Sequence, residues 1–427
     1  MITTIIVLSF LIGYLAITAE HSIGINKAAT ALLTGVVCWT LYALTQQDVH
    51  LVSHQLAEHV GEISGILFFL MGAMTIVELI DTHDGFEIIT SRITTRNKRK
   101  LLWLLSSITF LLSAILDNLT TTIVMVSLVR KLFPAGNTRL LFASVVVIAA
   151  NAGGAWSPIG DVTTTMLWIG GQITSMATIT HLILPSIVCT VVPLGLISFR
   201  LKGTVEEMVI VKEDHLRSSP RERNLVFGIG LVSLIFVPVF KSITHLPPYM
   251  GILGALGVMW IITEIMHSKK DDQDKDRFSV LYALQKIDMP SILFFLGILL
   301  AIGALQFTGA LTATAQWLDL HVGNISVVVI IIGFLSAIVD NVPLVAAAMS
   351  MYDLNQYPVD HYFWQFLAYS AGTGGSMLII GSAAGVAAMG IEKINFFWYL
   401  RNMSWLALIG FAAGAGVFML QSIWLSP

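Results

Sequence analysis

The chain has 427 residues, 56% of them hydrophobic and only 11% charged, with a mean hydropathy of +0.82, whereas roughly a quarter of residues are charged in soluble domains. Such a chain is an integral membrane protein, with length for about ten spans of ~20 residues and short loops, which excludes a cytosolic enzyme, a secreted disulfide scaffold and a nucleic-acid binder. The net charge of −3 exerts no global pull on nucleic acid, and Cys38 and Cys189, both inside apolar runs, are small core hydrophobes, not a disulfide or a metal site.

The opening stretch, MITTIIVLSFLIGYLAIT, has no basic residue before Lys27. It reads as a retained first span that starts outside, not as a cleaved signal. Twenty-residue windows place further spans near 27–45, 64–80, 180–199, 224–240, 249–266, 289–305 and 403–424, with longer segments at 101–133, 139–178, 322–351 and 362–391. Between the second and third spans, loop 46–63 carries His50, His54 and His59 among Glu58 and Glu62. A solvated interfacial turn is the preferred reading there, ahead of a metal site or pH sensor. Glu78 and Glu264, near inner ends of spans, are read as snorkelling residues ahead of proton guides.

Charge placement sets the topology. Arg92, Arg96, Lys98, Arg99 and Lys100 precede the 101–133 segment, and Arg130, Lys131 and Arg139 follow it. The positive-inside rule puts both flanks on the cytoplasmic side. The segment therefore leaves and returns on one face, as a re-entrant hairpin of two half-depth legs with Asp117-Asn118 at its tip. Segment 322–351 has no Lys or Arg in the loops on either side, 306–325 and 352–361, and is expected to enter from outside. On this plan loop 46–63 is external and linker 201–223, with Lys202, Lys212, Arg217, Arg221 and Arg223, is cytoplasmic, as are loop 268–288, Lys393 and Arg401. Both termini come out external, and Lys241 is the one misplaced outside charge.

An internal repeat underlies this plan. GILFFL at 65–70 recurs as SILFFL at 291–296, LSAILDN at 112–118 recurs as LSAIVDN at 335–341, and Gly153-Gly154 and Gly160 recur as Gly374-Gly375 and Gly381. The offsets of 226, 223 and 221 are too steady for chance apolar similarity. The expected fold is an all-α polytopic membrane protein of two repeats, 1–200 and 224–427, each with five spans, a re-entrant hairpin and an interrupted helix. An odd number of spans makes the second copy insert upside down, the inverted-topology plan of secondary transporters with the site at the midplane.

The interrupted segments mark that site. In 139–178 the apolar run meets Asn151, Gly153, Gly154, Ser157, Pro158, Gly160 and Asp161, which predicts an unwound stretch, tolerated in hydrocarbon only where it lines a cavity. The counterpart in 362–391 runs from Gly372, Thr373 and Ser376 to Gly381 and Ser382, with no carboxylate. The three aspartates Asp117, Asp161 and Asp340 are expected to converge with no Lys or Arg among the apolar segments to pair them. A charged aspartate at the bilayer centre costs at least ~2.5–3.5 kcal/mol on insertion scales. Helix capping accounts for Asn118, Asn341, Thr120, Thr121 and Thr122, but a cap needs only an oxygen acceptor and not a charge, so the carboxylates are read as functional.

DNLTTTIVM, NAGGAWSPIGDVTTTM, DNVPLVAAAM and GTGGSMLIIGSAAGVAAMG closely resemble the NhaD-type sodium/proton antiporters of the ion transporter superfamily, over nearly the whole chain. The Asp-Asn tips differ from the Ser-Asn-Thr tips of the superfamily's dicarboxylate carriers, while arsenite-pump relatives are nearer. The resemblance implies a homodimer in a bacterial-type cytoplasmic membrane, with hairpins and broken helices moving against a scaffold from 1–80 and 224–305. Expected ion ligands are Asp117, Asn118, Thr120, Thr121, Asn151, Ser157, Asp161, Thr163, Asp340, Asn341, Thr373, Ser376 and Ser382, the three aspartates holding Na+. Their oxygens suit Na+ or Li+, and buried carboxylates favour the proton, so one site can take either cation: antiport, with no cofactor and no nucleotide-binding loop. An exporter of arsenite or another small oxyanion is the rival. A passive cation channel and an intramembrane aspartyl protease, faintly echoed by Ile159-Gly160-Asp161, stand further behind.

Overall fold

The computed structural model describes residues 2–46, 48–91, 93, 95–205, 218–268 and 276–425. Arg92, Lys212 and Arg217, three of the basic residues used for orientation, lie outside the described residues. The described chain is helical almost throughout, and eight of its helices are long and apolar enough to cross a membrane. Many of the helices begin at a side-chain cap that the sequence supplies, such as Asn26, Asp48, Asn97 and Asn324. Ser219 and Glu222 form a reciprocal capping box before Pro220–Thr244, which satisfies two of the N–H groups a helix start leaves open.

The long-spaced segments resolve into pairs. Lys98–Leu116 and Asn118–Leu132 meet at Asp117, the single residue between them, whose φ of 80° and ψ of 161° turn the chain. Ile325–Ile338 and Asn341–Met351 meet at Val339-Asp340 in the same way. The first leg, at 19 residues, is longer than a half-depth leg and qualifies by length and composition as a span.

The interruptions are shorter than expected. Asn137–Ala155 stays helical through Asn151, Gly153 and Gly154, so only 156–161 unwinds before Val162–Ile169. Tyr362–Gly374 likewise runs through Gly372 and Thr373, and the chain unwinds from Gly375 until Ala383–Glu392 begins. Pro158 cannot take part in an uninterrupted helical ladder, while the earlier glycines serve packing. A Cβ on Gly153 would lie 2.3 Å from the Phe110 carbonyl oxygen, and one on Gly374 2.3 Å from that of Gly333. The close approaches pair off across the two copies: Ser113 Oγ donates to the Ala150 carbonyl at 2.6 Å, and Ser336 Oγ donates to the Ala371 carbonyl at 2.8 Å.

Two expectations for loops fail. Residues 49–63 are not a turn but the first half of one 34-residue helix, Val49–Thr82. His59 packs there against Trp39 and Phe307 and bonds through Nε2 with the Leu299 carbonyl at 3.0 Å, while His54 points to solvent. Residues expected in the loop before the second hairpin form Ala310–His321, with Trp317 and Leu320 exposed.

Around these pairs lies a separate helix layer. Lys27–Ala43 packs along Met289–Phe307, where Gly35 and Gly297 let the backbones touch: a Cβ at Gly297 would sit 2.4 Å from the Ala31 carbonyl carbon, the small-residue contact that brings membrane helices together. Val49–Thr82, Pro220–Thr244 and Pro248–His267 pack on one another. The basic flanks gather at neighbouring points. Arg99 donates to the Leu201 carbonyl at 2.7 Å, and Val205 N donates to the Arg96 carbonyl at 2.9 Å. Arg223 pairs with Glu87 at 2.5 Å.

Candidate functional site

Four short helices start where the pairs and interruptions meet, and each has a capping side chain that the sequence marks. Asp117 caps Asn118–Leu132, Asp161 caps Val162–Ile169, Asp340 caps Asn341–Met351 and Ser382 caps Ala383–Glu392. Helix N-termini carry partial positive charge, which the three carboxylates offset. Capping thus engages the same carboxylate oxygens that were expected to bind the ion.

A hydrogen-bonded network occupies the middle. Asn118 Nδ2 donates to Asp161 Oδ2 at 2.6 Å and to Asn151 Oδ1 at 3.0 Å. Asn151 Nδ2 donates in turn to Ser376 Oγ at 2.8 Å and Ser382 Oγ at 2.9 Å. Asn151 therefore ties the first interrupted segment directly to the second. Asp161 Oδ1 accepts from Thr163 N and Thr163 Oγ1, at 2.8 and 2.9 Å. Asn118, Asn151, Asp161, Thr163, Ser376 and Ser382 are all buried.

Asp117, half-buried beside this network, accepts from the Thr120 amide at 2.8 Å and the Thr120 hydroxyl at 2.9 Å. Asp161 is within electrostatic reach of both Asp117 and Asp340. Thr121 is fully buried, and its hydroxyl has no hydrogen-bond partner among the described residues. A buried hydroxyl left open is costly unless something binds it.

Other expected ligands sit outside the network. Ser157 Oγ caps its own turn at the Ile159 amide, Thr373 Oγ1 donates to the Tyr369 carbonyl at 2.6 Å, and Asn341 is buried at the second tip. Asp340 is a clear correction. Lys27 Nζ lies 3.0 Å from Asp340 Oδ2, with the two side chains 20% and 14% exposed, so a lysine does pair one of the three aspartates. Among the described residues no group of three or more His, Cys, Asp or Glu lies close enough to hold one metal ion.

Sequence reasoning missed two charged groups that the fold brings inward. Lys27 is the only Lys or Arg before Arg92, and its isolation at the head of an apolar run was the available signal. Glu392, whose side chain is wholly buried, pairs with Arg139 at 2.7 Å and Arg130 at 3.4 Å. Lys241, the misplaced outside charge, also finds a role: its ammonium donates to the Trp168 carbonyl at 2.5 Å and lies over the Trp168 ring. It thereby adds a cationic donor to a carbonyl near the end of Val162–Ile169 that also accepts from the Gly171 amide.

Similar known proteins complete the picture. The family model described as citrate transporter, CitMHS, matches residues 12–365. Sodium/proton antiporters 1 and 2 of Arabidopsis thaliana are each 51% identical to the chain, over 96% and 95% of its length and 71% and 97% of theirs. Na(+)/H(+) antiporter NhaD of Vibrio parahaemolyticus is 30% identical over 88% of the chain and 95% of its own length.

Proposed function

The chain belongs to the citrate transporter family and, among its members, to the NhaD-type sodium/proton antiporters, and from this premise we propose that it exchanges Na+, and Li+ by the same chemistry, for H+ across a cytoplasmic membrane. The observation that carries the reading is the Asp161 carboxylate inside a buried network of Asn, Ser and Thr side chains, with the half-buried Asp117 carboxylate and its Thr120 beside it. Hard oxygens at a charged centre suit a small alkali cation. Citrate or an oxyanion would meet two carboxylates of its own sign, so the family's general description does not give the cargo here.

The site divides into charged and neutral ligands. Asp117 and Asp161 take either protons or the ion. Asn118, Asn151, Thr163, Ser376 and Ser382 orient them, with Thr120 on Asp117 and the open Thr121 hydroxyl as a further acceptor. Ser157 closes its own turn, Thr373 bonds back to its own helix, and Asn341 is buried beside the second tip. Exchange then requires that only the proton-loaded or the ion-loaded carrier crosses between faces.

The repeats 1–200 and 224–427 have inverted topology in this proposal, with 101–133 and 322–351 as re-entrant hairpins and 201–223 as a cytoplasmic linker. The paired contacts of Ser113 and Ser336, and of Gly153 and Gly374, support equivalence of the copies. Hairpins and interrupted helices move together, elevator-like, against the layer that contains Lys27–Ala43 and Met289–Phe307. Two chains form a homodimer and both termini face outside.

Respiring everted vesicles carrying the protein give the test. Added Na+ or Li+ is expected to collapse the pH gradient, while K+ and arsenite leave it standing. Arsenite uptake with no response to Na+ or Li+ would assign the site to an oxyanion.

A further inference from the structure

We infer that Lys27 is a tethered stand-in for the transported cation: its ammonium neutralises Asp340 while the ion is absent, and the arriving ion displaces it. The inference rests on the antiport reading and adds a positioning residue to it.

Three observations carry it. First, the Lys27–Asp340 contact at 3.0 Å spans 313 residues of sequence and lies where the helix that Lys27 heads, packed on Met289–Phe307, meets the tip between Ile325–Ile338 and Asn341–Met351. Secondly, Asp340 has no hydrogen bond to the Asn118–Asn151–Asp161 network among the described residues; its other oxygen meets only the Val342 amide, at 3.4 Å. A carboxylate so placed is held out of the ion site by its lysine. Thirdly, the ammonium has somewhere else to go. It already lies 4.4 Å from the centre of the Phe294 ring, and Glu20 and Asp288 both add negative charge around it. Those two residues, with Lys27, Asn26 and Ser291, line a cavity of about 260 Å³. A lysine released from Asp340 thus exchanges one carboxylate for two others, in a space large enough for water, and retains an aromatic face for its charge.

The consequence is a competition inside the protein. With Lys27 paired, the empty carrier has Asp340 already neutralised, and only Asp117 and Asp161 remain to be protonated. With Lys27 displaced, the negative charge of Asp340, within electrostatic reach of Asp161, is left for the ion to balance. A pair closed in nine molecules of ten weakens apparent ion affinity about tenfold, because only the open fraction binds.

The experiment measures half-saturating Na+ and maximal rate of Na+-driven proton flux in proteoliposomes at one pH, for the wild type, Lys27→Met and Lys27→Arg. Lys27→Met is expected to lower half-saturating Na+ about three- to tenfold and to slow the maximal rate, since the empty carrier loses its counter-charge. Lys27→Arg should restore the weaker affinity. A mere strut would slow transport without tightening Na+ binding, so unchanged or weaker affinity in Lys27→Met overturns the inference. The wild-type protein supplies a second measurement that needs no variant to fold: saturating Na+, but not choline, should raise amine-reagent labelling of Lys27 several-fold, read by mass spectrometry. Equal labelling in both salts overturns the inference as well. Absence of any Na+-driven flux in the wild type would instead refute antiport, and the displaced-lysine role with it.

Discussion

At the residue scale, charge and oxygen separate the aspartates from their neighbours. Asp117→Asn and Asp161→Asn keep an acceptor for the Thr120 and Thr163 amides, so both variants should reach the membrane and fold. Each should lose at least about tenfold in Na+/H+ exchange, since amide oxygens neither release a proton nor neutralise an ion. Near-normal flux in both would return these residues to capping alone. Asn118→Ala removes the donor shared by Asn151 and Asp161 and should slow exchange less completely. Gly160 shows the other limit. A Cβ there would lie 2.7 Å from the Ser113 carbonyl oxygen and 2.8 Å from that of Gly154, so Gly160→Ala should cost about 1–3 kcal/mol by overpacking, visible as a lower unfolding temperature in detergent.

At the element scale, the basic flanks make the sharpest statement. Lys98–Leu116 begins beside Leu201 through Arg99, and Asn118–Leu132 ends with Arg130 on Glu392. If 101–133 is a hairpin, cysteines at Lys100 and Lys131 should both be shielded from an impermeant external thiol reagent in whole cells. Opposite labelling would make Lys98–Leu116 a full crossing, which its length also permits. Both tips and both interruptions were legible in the sequence because aspartate, glycine and proline are conspicuous in an apolar chain. The extent of the interruptions was not, since Gly153 and Gly374 are there for helix contact and leave the helix intact. Val49–Thr82 escaped for a related reason: its first half is too polar for a hydropathy window, yet Asp48 caps it and the helix simply continues. The partnership of Lys27 with Asp340 was invisible because no local pattern reports which of two residues 313 apart will meet.

At the scale of the whole molecule, the proposed sharing of one set of carboxylates by two cations fixes how transport should respond to acidity. If Na+ binds only the deprotonated site, its apparent affinity must fall as pH drops, by up to about tenfold per pH unit for each proton displaced. Far above the range where the site holds protons, affinity levels off and transport slows, because protons no longer return the empty carrier. Activity at limiting Na+ should pass through a maximum that moves to lower pH as Na+ is raised. Proteoliposomes titrated with Na+ at several pH values would show it, and a Na+ affinity constant across three pH units with exchange still coupled would mean separate sites.

The amide of Asn151 has one further consequence, for the birth of the protein. Its acceptors, Ser376 and Ser382, lie 225 and 231 residues later in the chain, and the carboxylate that Arg139 requires arrives later still, at Glu392. Until the chain reaches those two serines, the Asn151 amide, buried in the finished protein, has no partner for its N–H groups. Unsatisfied polar groups in hydrocarbon are expensive, so the first copy must wait in a looser, hydrated arrangement. The finished centre is closed by the last fifth of the chain, so its packing is expected to be completed only after the first half has been inserted.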